Sequence, residues 1–257
     1  LKYIKDKGMT GTLITNGTLL NKKTSKFLVN INWDFIMFSI DGPNEKTYKY
    51  IRGNKNFKKL LKNIKFLSNF KKSKKSKLTL FSNTIIMNSN KSMLHEMIKL
   101  ASELGISSVG FARLTPWSTN FDMLNVQLED KQVKTSLHHA IKLSKKLKIN
   151  TNAKKILSPQ SPLFCSTVFS NINIDPAGNV LICCKIQKRV GNLLKDDFDK
   201  IWFGSIFIKF RQLSKNGKLP KVCETCYLDN VTSSNLIYFL RSRKPIEVMK
   251  YIIKYYL

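Results

Sequence analysis

No cysteine occurs in the first 164 residues of this 257-residue chain, so that stretch can hold neither a thiolate metal site nor a disulfide. No apolar run approaches the ~20 residues of a membrane span, and no signal peptide is visible, which places the expected location in the cytoplasm. Acidic residues are scarce: 16 Asp and Glu face 45 Lys and Arg, for a formal net charge of +29. That surplus invites a nucleic-acid or anionic-membrane reading. It has a plainer source as well, because Lys, Asn and Ile are all abundant and all have A/T-rich codons. The densest run, Lys71, Lys72, Lys74, Lys75 and Lys77, carries Ser between its charges. It lacks the interleaved aromatics of a single-strand stacking groove and reads as a solvated loop. The chain opens on Leu1 rather than Met, with no start-of-protein features before the first helical turn, and so reads as a fragment of a longer protein.

Against these absences stands a hydrophobic content of 42%, enough for a real core. The first half alternates strand and helix. Strands are predicted over 12–15, 34–40, 78–87 and 108–114, and helices over 19–29, 57–70 and 92–104. Phe57, Leu60, Leu61, Ile64 and Leu67 share one helical face. Ser92 or Asn90 is the expected N-cap of the third helix, and Gly105 its stop. Strands separated by helices indicate parallel βα units, and their nearly continuous apolar character predicts a sheet buried on both faces. Sites in such folds lie at the carboxyl ends of the strands. Thr15-Asn16-Gly17, Ser39 to Gly42 and Arg113 to Thr115 fall there, although Asn-Gly and Asp-Gly-Pro also make ordinary turns. An aperiodic connector over 115–127 leads to a basic amphipathic helix over 128–147. His138 and His139 lie on that helix about 100° apart and cannot face one metal.

All five cysteines fall between positions 165 and 226. Cys223 and Cys226 form Cys-x-x-Cys after Pro220, Cys183 ends one strand of a hairpin turning at Asp175 to Asn179, and Cys165 precedes that hairpin. In a reducing compartment such clustering favours a metal over disulfides. Four sulfurs from two pieces of chain can close a tetrahedral centre, and the spacing alone leaves zinc and an iron–sulfur cluster equally open. Neighbouring strand residues point to opposite faces, so only one of Cys183 and Cys184 should ligate; Cys184 reads as a small buried hydrophobe. A helical stretch is expected from Asp197 to Leu213, and two helices over 231–257.

Several elements recurring in order carry a family resemblance. Cys165, Gly178 and Cys183, then Val190-Gly191-Asn192-Leu193, Phe198, Ile201-Trp202, Arg211, Cys223 and Cys226, resemble the SPASM/Twitch domain of radical S-adenosylmethionine (SAM) enzymes. The absence of cysteine after Cys226 matches the shorter Twitch type with one auxiliary cluster. Ile14-Thr15-Asn16-Gly17 resembles the third strand of the radical SAM barrel, and Phe38 to Pro43 with Tyr48 and Ile51-Arg52-Gly53 the fourth. Asn83 to Ile86 resembles the fifth and Gly110 to Leu114 the sixth. The implied fold is α/β: a partial radical SAM barrel lacking its first two strands over 1–127, then a connecting helix over 128–157. A small α+β SPASM/Twitch domain follows over 158–230, and C-terminal helices close the chain.

The resemblance also implies roles. SAM contacts would come from Thr15, Asn16, Ser39, Asp41, Arg52 and Arg113. Arg52 would meet the SAM carboxylate, and Ile86 and Arg113 would lie near the adenine or substrate. Cys165, Cys183, Cys223 and Cys226 would ligate an auxiliary [4Fe–4S] cluster. The intact protein would be a radical SAM oxidoreductase or modifying enzyme that abstracts hydrogen through a 5′-deoxyadenosyl radical, using SAM and a second [4Fe–4S] cluster. Its partners would be a peptide or small-molecule substrate and an external electron donor, not nucleic acid. The chain departs from the family by lacking the Cys-x-x-x-Cys-x-x-Cys triplet of the SAM cluster and the Gly-Gly-Glu motif, so as given it reads as inactive. Two rivals are a basic four-cysteine zinc module that binds nucleic acid and a non-catalytic radical SAM paralogue.

Overall fold

The computed structural model describes residues 1–114, 130–158 and 165–223. The connector expected over 115–127, Cys226 and the helices expected over 231–257 lie outside the described residues. The chain divides into two compact units, Leu1–Ser158 and Pro159–Leu257.

The first unit begins α1 (Lys2–Asp6), β1 (Thr12–Thr15), α2 (Lys22–Asn30), β2 (Phe35–Ser39), α3 (Glu45–Arg52), α4 (Phe57–Ser73) and β3 (Thr79–Ile86). It continues α5 (Leu94–Leu104), β4 (Ser108–Arg113), α6 (Lys131–Leu147), β5 (Asn150–Thr151) and α7 (Ala153–Leu157). The strands form one parallel sheet in the order β1-β2-β3-β4-β5. Asn21 caps α2 by accepting the Thr24 amide at 2.9 Å, which starts that helix later than the apolar spacing predicts. Along α4, Leu60, Ile64 and Leu67 are fully buried, each worth roughly 1.5–3 kcal/mol of burial. The eight-residue α3 escaped prediction, being short and rich in charge. Asn44 caps it by accepting the Thr47 amide at 2.9 Å, and Gly53 stops it in the left-handed region at φ 65°.

One expectation about the sheet is overturned. Ile36, Phe38, Ile40, Leu80, Val109 and Phe111 are all buried to 1% exposure or less. Alternate residues Phe35, Met37, Ser39, Phe81, Asn83 and Ile85 are only half-buried, and Ile14 is 62% exposed. Among the described residues of this unit the helices therefore cover one face, while the other carries apolar side chains without that cover. Continuous apolar strands imitate two-sided burial because the second face is apolar too.

The N-cap expected for α5 is also corrected. The side chain of Asn90 is turned inward, accepting the Met87 amide and donating to the carbonyls of Asp41 and Ile85, all at 2.8 Å. The free amide of Leu94 is met instead by Ser136 Oγ, from α6, at 2.8 Å. The segment expected as a connecting helix belongs to the sheet unit. Val133, Leu137 and Ala140 of α6 are fully buried, and β5 pairs with β4 through Ser108–Asn150 and Val109–Thr151. Two polar residues gave β5 no apolar signature.

The second unit contains α8 (Thr167–Ser170), β6 (Asn173–Ile174), β7 (Asn179–Leu181), β8 (Arg189–Asn192), α9 (Phe198–Trp202) and α10 (Ser205–Lys215). Its three described strands form an antiparallel sheet. Val180, Ile182 and Phe207 are fully buried in its core, with Val168, Phe169, Cys183, Ile201 and Trp202 around them. The single helix expected from Asp197 to Leu213 is two helices. Gly204 breaks it with extended backbone that starts α10, and a Cβ there would stand 2.8 Å from the Lys200 carbonyl.

Close approach makes Gly42 a testable part of this architecture. A Cβ at this position would lie 2.6 Å from the backbone nitrogen of Tyr48, so a side chain must push α3 off the end of β2. Gly42→Ala is expected to destabilise the fold by about 1–3 kcal/mol, read as a lower midpoint in chemical denaturation.

Candidate functional site

Parallel pairing brings the carboxyl ends of the strands to one edge of the sheet. Thr15 is level with Phe38, Ser39 with Asn83, Asn83 with Gly110, and Ile86 with Arg113. Ser39, Asn83 and Gly110 thus form a row of small and polar groups across three strands on the face without helices. A Cβ on Gly110 would lie 3.0 Å from Asn83 Oδ1. Asn83 was not singled out from sequence. Its signal was present, as an amide among Phe81 and Ile85 at a position of the same parity as the uncovered residues. Ile86 faces the other way, 1% exposed in the core, and Ile85 is the residue turned to the uncovered side.

At the end of β1, turn chemistry organises Thr15 and Asn16. Thr15 Oγ1 accepts the Gly17 amide at 3.0 Å, and Asn16 Oδ1 accepts the Thr18 amide at 3.1 Å. Gly17 has φ +70°, and a Cβ there would lie 2.5 Å from Leu60. Asn63 on α4 donates to the Gly17 carbonyl at 2.9 Å and fastens the loop from outside.

Asp41, just beyond β2, is 3% exposed. Its Oδ1 accepts the Ile85 amide at 2.8 Å, and its Oδ2 pairs with Nη2 of Arg52 at 2.5 Å. Burial pushes the Asp41 carboxyl above the usual range; the Arg52 charge and the Ile85 amide oppose that push without cancelling it. Thr84 Oγ1 donates to the Ile40 carbonyl at 2.7 Å, and Asn90 holds the Asp41 carbonyl as described. Arg52 is the last residue of α3, with 30% of its side chain exposed and its buried Nε without a hydrogen-bond partner. The structure therefore joins two of the expected contact residues, Asp41 and Arg52, to each other. Ser39 stands near them in sequence on the uncovered face, and Arg113 ends β4.

In the second unit Cys183 is 8% exposed, and its Sγ accepts the Ile186 amide at 3.2 Å. Cys165 packs half-buried against the same core. Its backbone is clasped by the buried Ser214 hydroxyl, which accepts the Cys165 amide at 2.6 Å and bonds its carbonyl at 3.1 Å. Cys223 is half-buried in a turn closed on the Pro220 carbonyl at 2.7 Å. Cys184 is exposed, contrary to its reading as a buried hydrophobe: with Cys183 turned into the core, its neighbour points out. Among the described residues no three His, Cys, Asp or Glu side chains group as a metal site, and Cys226 lies outside them.

The other motif residues of this unit build its scaffold. Asp175 Oδ1 accepts the amides of Ala177 and Asn179 at 2.9 and 3.0 Å, and Gly178 takes φ +80°. Asn192 donates to the Ala177 carbonyl and to Asn179 Oδ1, both at 3.0 Å. A Cβ on Gly191 would lie 2.6 Å from Ile201. The Arg211 guanidinium lies 4.4 Å from the centre of the Trp202 ring while its Nε donates to the Val168 carbonyl at 3.0 Å.

Comparison with known proteins identifies both units. Residues 1–101 match the radical SAM superfamily, and residues 165–227 match the SPASM iron–sulfur cluster-binding domain. The chain thus carries a radical SAM domain followed by a SPASM domain. SAM and [4Fe–4S] clusters are the cofactors these domains imply, which decides between iron and zinc in favour of iron. SuiB of Streptococcus suis superposes with a TM-score of 0.66 at 14% identity, covering 89% of this chain and 59% of that one. Native anSMEcpe with bound AdoMet superposes at 0.59 with 16% identity, covering 85% of this chain and 62% of that one. An uncharacterized protein of Methanocaldococcus jannaschii, MJ0804, is 37% identical over 70 residues, which is 27% of this chain and 24% of that protein. The chain thus spans about three fifths of the solved relatives it resembles. No described helix is long and apolar enough to cross a membrane.

Two titrations test these assignments. The raised carboxyl of Asp41 favours the fold fully below its ordinary value, and that contribution is lost as pH rises through the folded-state value. Arg52→Ala leaves the carboxylate uncompensated, so it should cost about 1–3 kcal/mol at neutral pH, less than for a fully buried pair because Arg52 is partly solvated. The loss should shrink in acid, as read by urea unfolding across pH. Asp175 behaves oppositely: the Asn179 side chain above all, then the amides of Asn179 and Ala177 and the Arg189 charge, lower its carboxyl. Its contribution is present above the ordinary carboxylate value and is lost as pH falls through the lowered one. Proton–deuterium exchange in the 175–179 turn, corrected for intrinsic rate, should accelerate in that acid window.

Proposed function

We propose that this chain works in a radical SAM enzyme that modifies its substrate after hydrogen abstraction, with one auxiliary [4Fe–4S] cluster held by Cys165, Cys183, Cys223 and Cys226. The observation that carries the reading is the joint presence of a radical SAM match and a cluster-binding match that opens at Cys165 and closes one residue after Cys226. The buried, amide-bonded thiol of Cys183 and the core placement of Cys165 support these two as ligands. The soft thiolate set suits iron and sulfide.

When bound, a reduced [4Fe–4S] cluster supplies the electron that cleaves SAM to a 5′-deoxyadenosyl radical, the species that takes hydrogen from the substrate. The chain's own part is to bind and orient. Thr15, Asn16 and Ser39 offer polar groups at the strand ends for the SAM ribose and amino-acid portions, and Arg52 meets the carboxylate. Arg113 ends β4 level with Ile86, on the parity of Val109 and Phe111, and meets the adenine or substrate only around the strand end. The apolar side chains of the uncovered face, Met37, Phe81 and Ile85 among them, would exclude water from a radical. Residues 1–164 hold no cysteine, so we read these residues alone as unable to house the SAM-cleaving cluster. An external electron donor completes the reaction. A peptide is the favoured substrate class, in keeping with the structure of SuiB bound to precursor peptide SuiA.

Anaerobic reconstitution tests the reading. Brown protein with about four irons and four sulfides per chain is expected, with iron content falling sharply in Cys183→Ala and unchanged in Cys184→Ala. Colourless protein binding one zinc, or iron retained by Cys183→Ala, would refute it.

A further inference from the structure

The pair of Asp41 and Arg52 is built more elaborately than a surface ion pair requires. Asp41 is fixed from three directions. Its carboxylate takes the Ile85 amide at 2.8 Å, its carbonyl takes the Asn90 amide at 2.8 Å, and the preceding carbonyl, of Ile40, takes the Thr84 hydroxyl at 2.7 Å. Every one of these partners lies on β3 or just beyond it, so Asp41 registers the ends of β2 and β3. The close approach of Gly42 to the Tyr48 amide draws α3 against the same point. Arg52 stands at the far end of α3, where Gly53 turns the chain away.

A guanidinium is a planar fork with five N–H donors. Arg52 bonds Asp41 through Nη2 at 2.5 Å, while its buried Nε has no hydrogen-bond partner. The side chain keeps 30% of its surface exposed. One edge of the fork is therefore tied down and donors are left over at the carboxyl edge of the sheet. An arginine on its own samples many rotamers, and fixing one costs entropy when a ligand arrives.

We propose that Asp41 is the positioning residue for Arg52: it fixes the guanidinium by one nitrogen so that the remaining donors are aimed at the carboxylate of a bound amino-acid-bearing nucleoside. The inference rests on the reading that Arg52 meets the carboxylate of SAM, and it assigns Asp41 no contact with the ligand. Asp41 then governs discrimination between nucleosides with and without an amino-acid tail. It does so without touching either.

The test is calorimetric titration of the full chain with two probes, S-adenosylhomocysteine, which carries the carboxylate, and 5′-methylthioadenosine, which lacks it. The unaltered chain should prefer the first. Arg52→Ala should abolish the preference, and Asp41→Asn should weaken S-adenosylhomocysteine about tenfold while leaving methylthioadenosine within about twofold. The second probe controls for folding, since a damaged scaffold loses both ligands alike. Asp41→Glu keeps the charge but lengthens the arm by one methylene; it should also weaken only S-adenosylhomocysteine, and it decides the matter if the Asn variant does not fold. The double variant Asp41→Asn, Arg52→Ala should be no worse than Arg52→Ala. If Arg52→Ala removes the preference while both Asp41 variants keep it, the positioning role falls and the role of Arg52 stands. Equal weakening of both probes by the Asp41 variants also overturns the positioning role. If the unaltered chain binds neither probe, or binds both without preference, the reading of Arg52 falls and this inference with it.

Discussion

A carboxylate taken out of water must find compensation in the protein, and in the first unit that requirement falls on Asp41. Its side chain sits where β2 ends, and the groups that compensate it come from different elements: an amide from β3 and a guanidinium from α3. Satisfying one buried charge therefore sets where α3 must run, how β2 and β3 end, and where the only arginine between Lys2 and Leu100 is held. Breaking such a pair on one side costs more than the pair contributes, because the remaining charge has no water to return to. That asymmetry makes the strand ends intolerant of change while the lysine-covered outer helices are not.

The charge distribution bears on the same point. From Lys46 to His95 the chain contains no acidic residue. Most lysines of this stretch lie on α4 and the turn after it, where few have carboxylate partners; Lys58 reaches Glu45 across 3.5 Å of well-solvated surface. Lys22, Lys26 and Lys74 rest over the rings of Phe66 and Phe70 at 5.6–6.0 Å. The rings are thereby partly screened by the protein's own cations, a poor platform for stacking bases. The basic composition and the internal ion pairing are separate matters here, and the second is the one tied to the strand ends.

Much of the fold was legible because its physics is local. Apolar runs near strand length, the face shared by Phe57, Leu60, Ile64 and Leu67, and the left-handed stop at Gly105 are properties of short stretches. What escaped was non-local. Asn90 looked like a helix cap until the carbonyls of Asp41 and Ile85 were seen to need a donor, and the true cap arrived from Ser136, 42 residues away from Leu94. The two-residue β5 has no pattern of its own and exists because Ser108 and Val109 offer an edge. The uncovered face was missed because its side chains are apolar, so alternation gave no warning. In the second unit the order of Gly178, Cys183, Gly191, Asn192 and Arg211 was recognisable as a set. Strand parity allowed only one of Cys183 and Cys184 to ligate and the resemblance pointed to Cys183; both lie beyond β7, and the exposure of Cys184 required the fold.

The turn from Asp175 to Asn179 has one more implication. Its conformation is enforced by side-chain amides and a carboxylate, and Asn192 from β8 locks it from across the sheet. Those bonds need no inorganic core, so the hairpin that carries Cys183 is shaped in advance. Loading such a scaffold is then closer to filling a prepared socket than to the metal-driven collapse of a zinc finger. Removal of the iron would leave the second unit with its secondary structure largely in place.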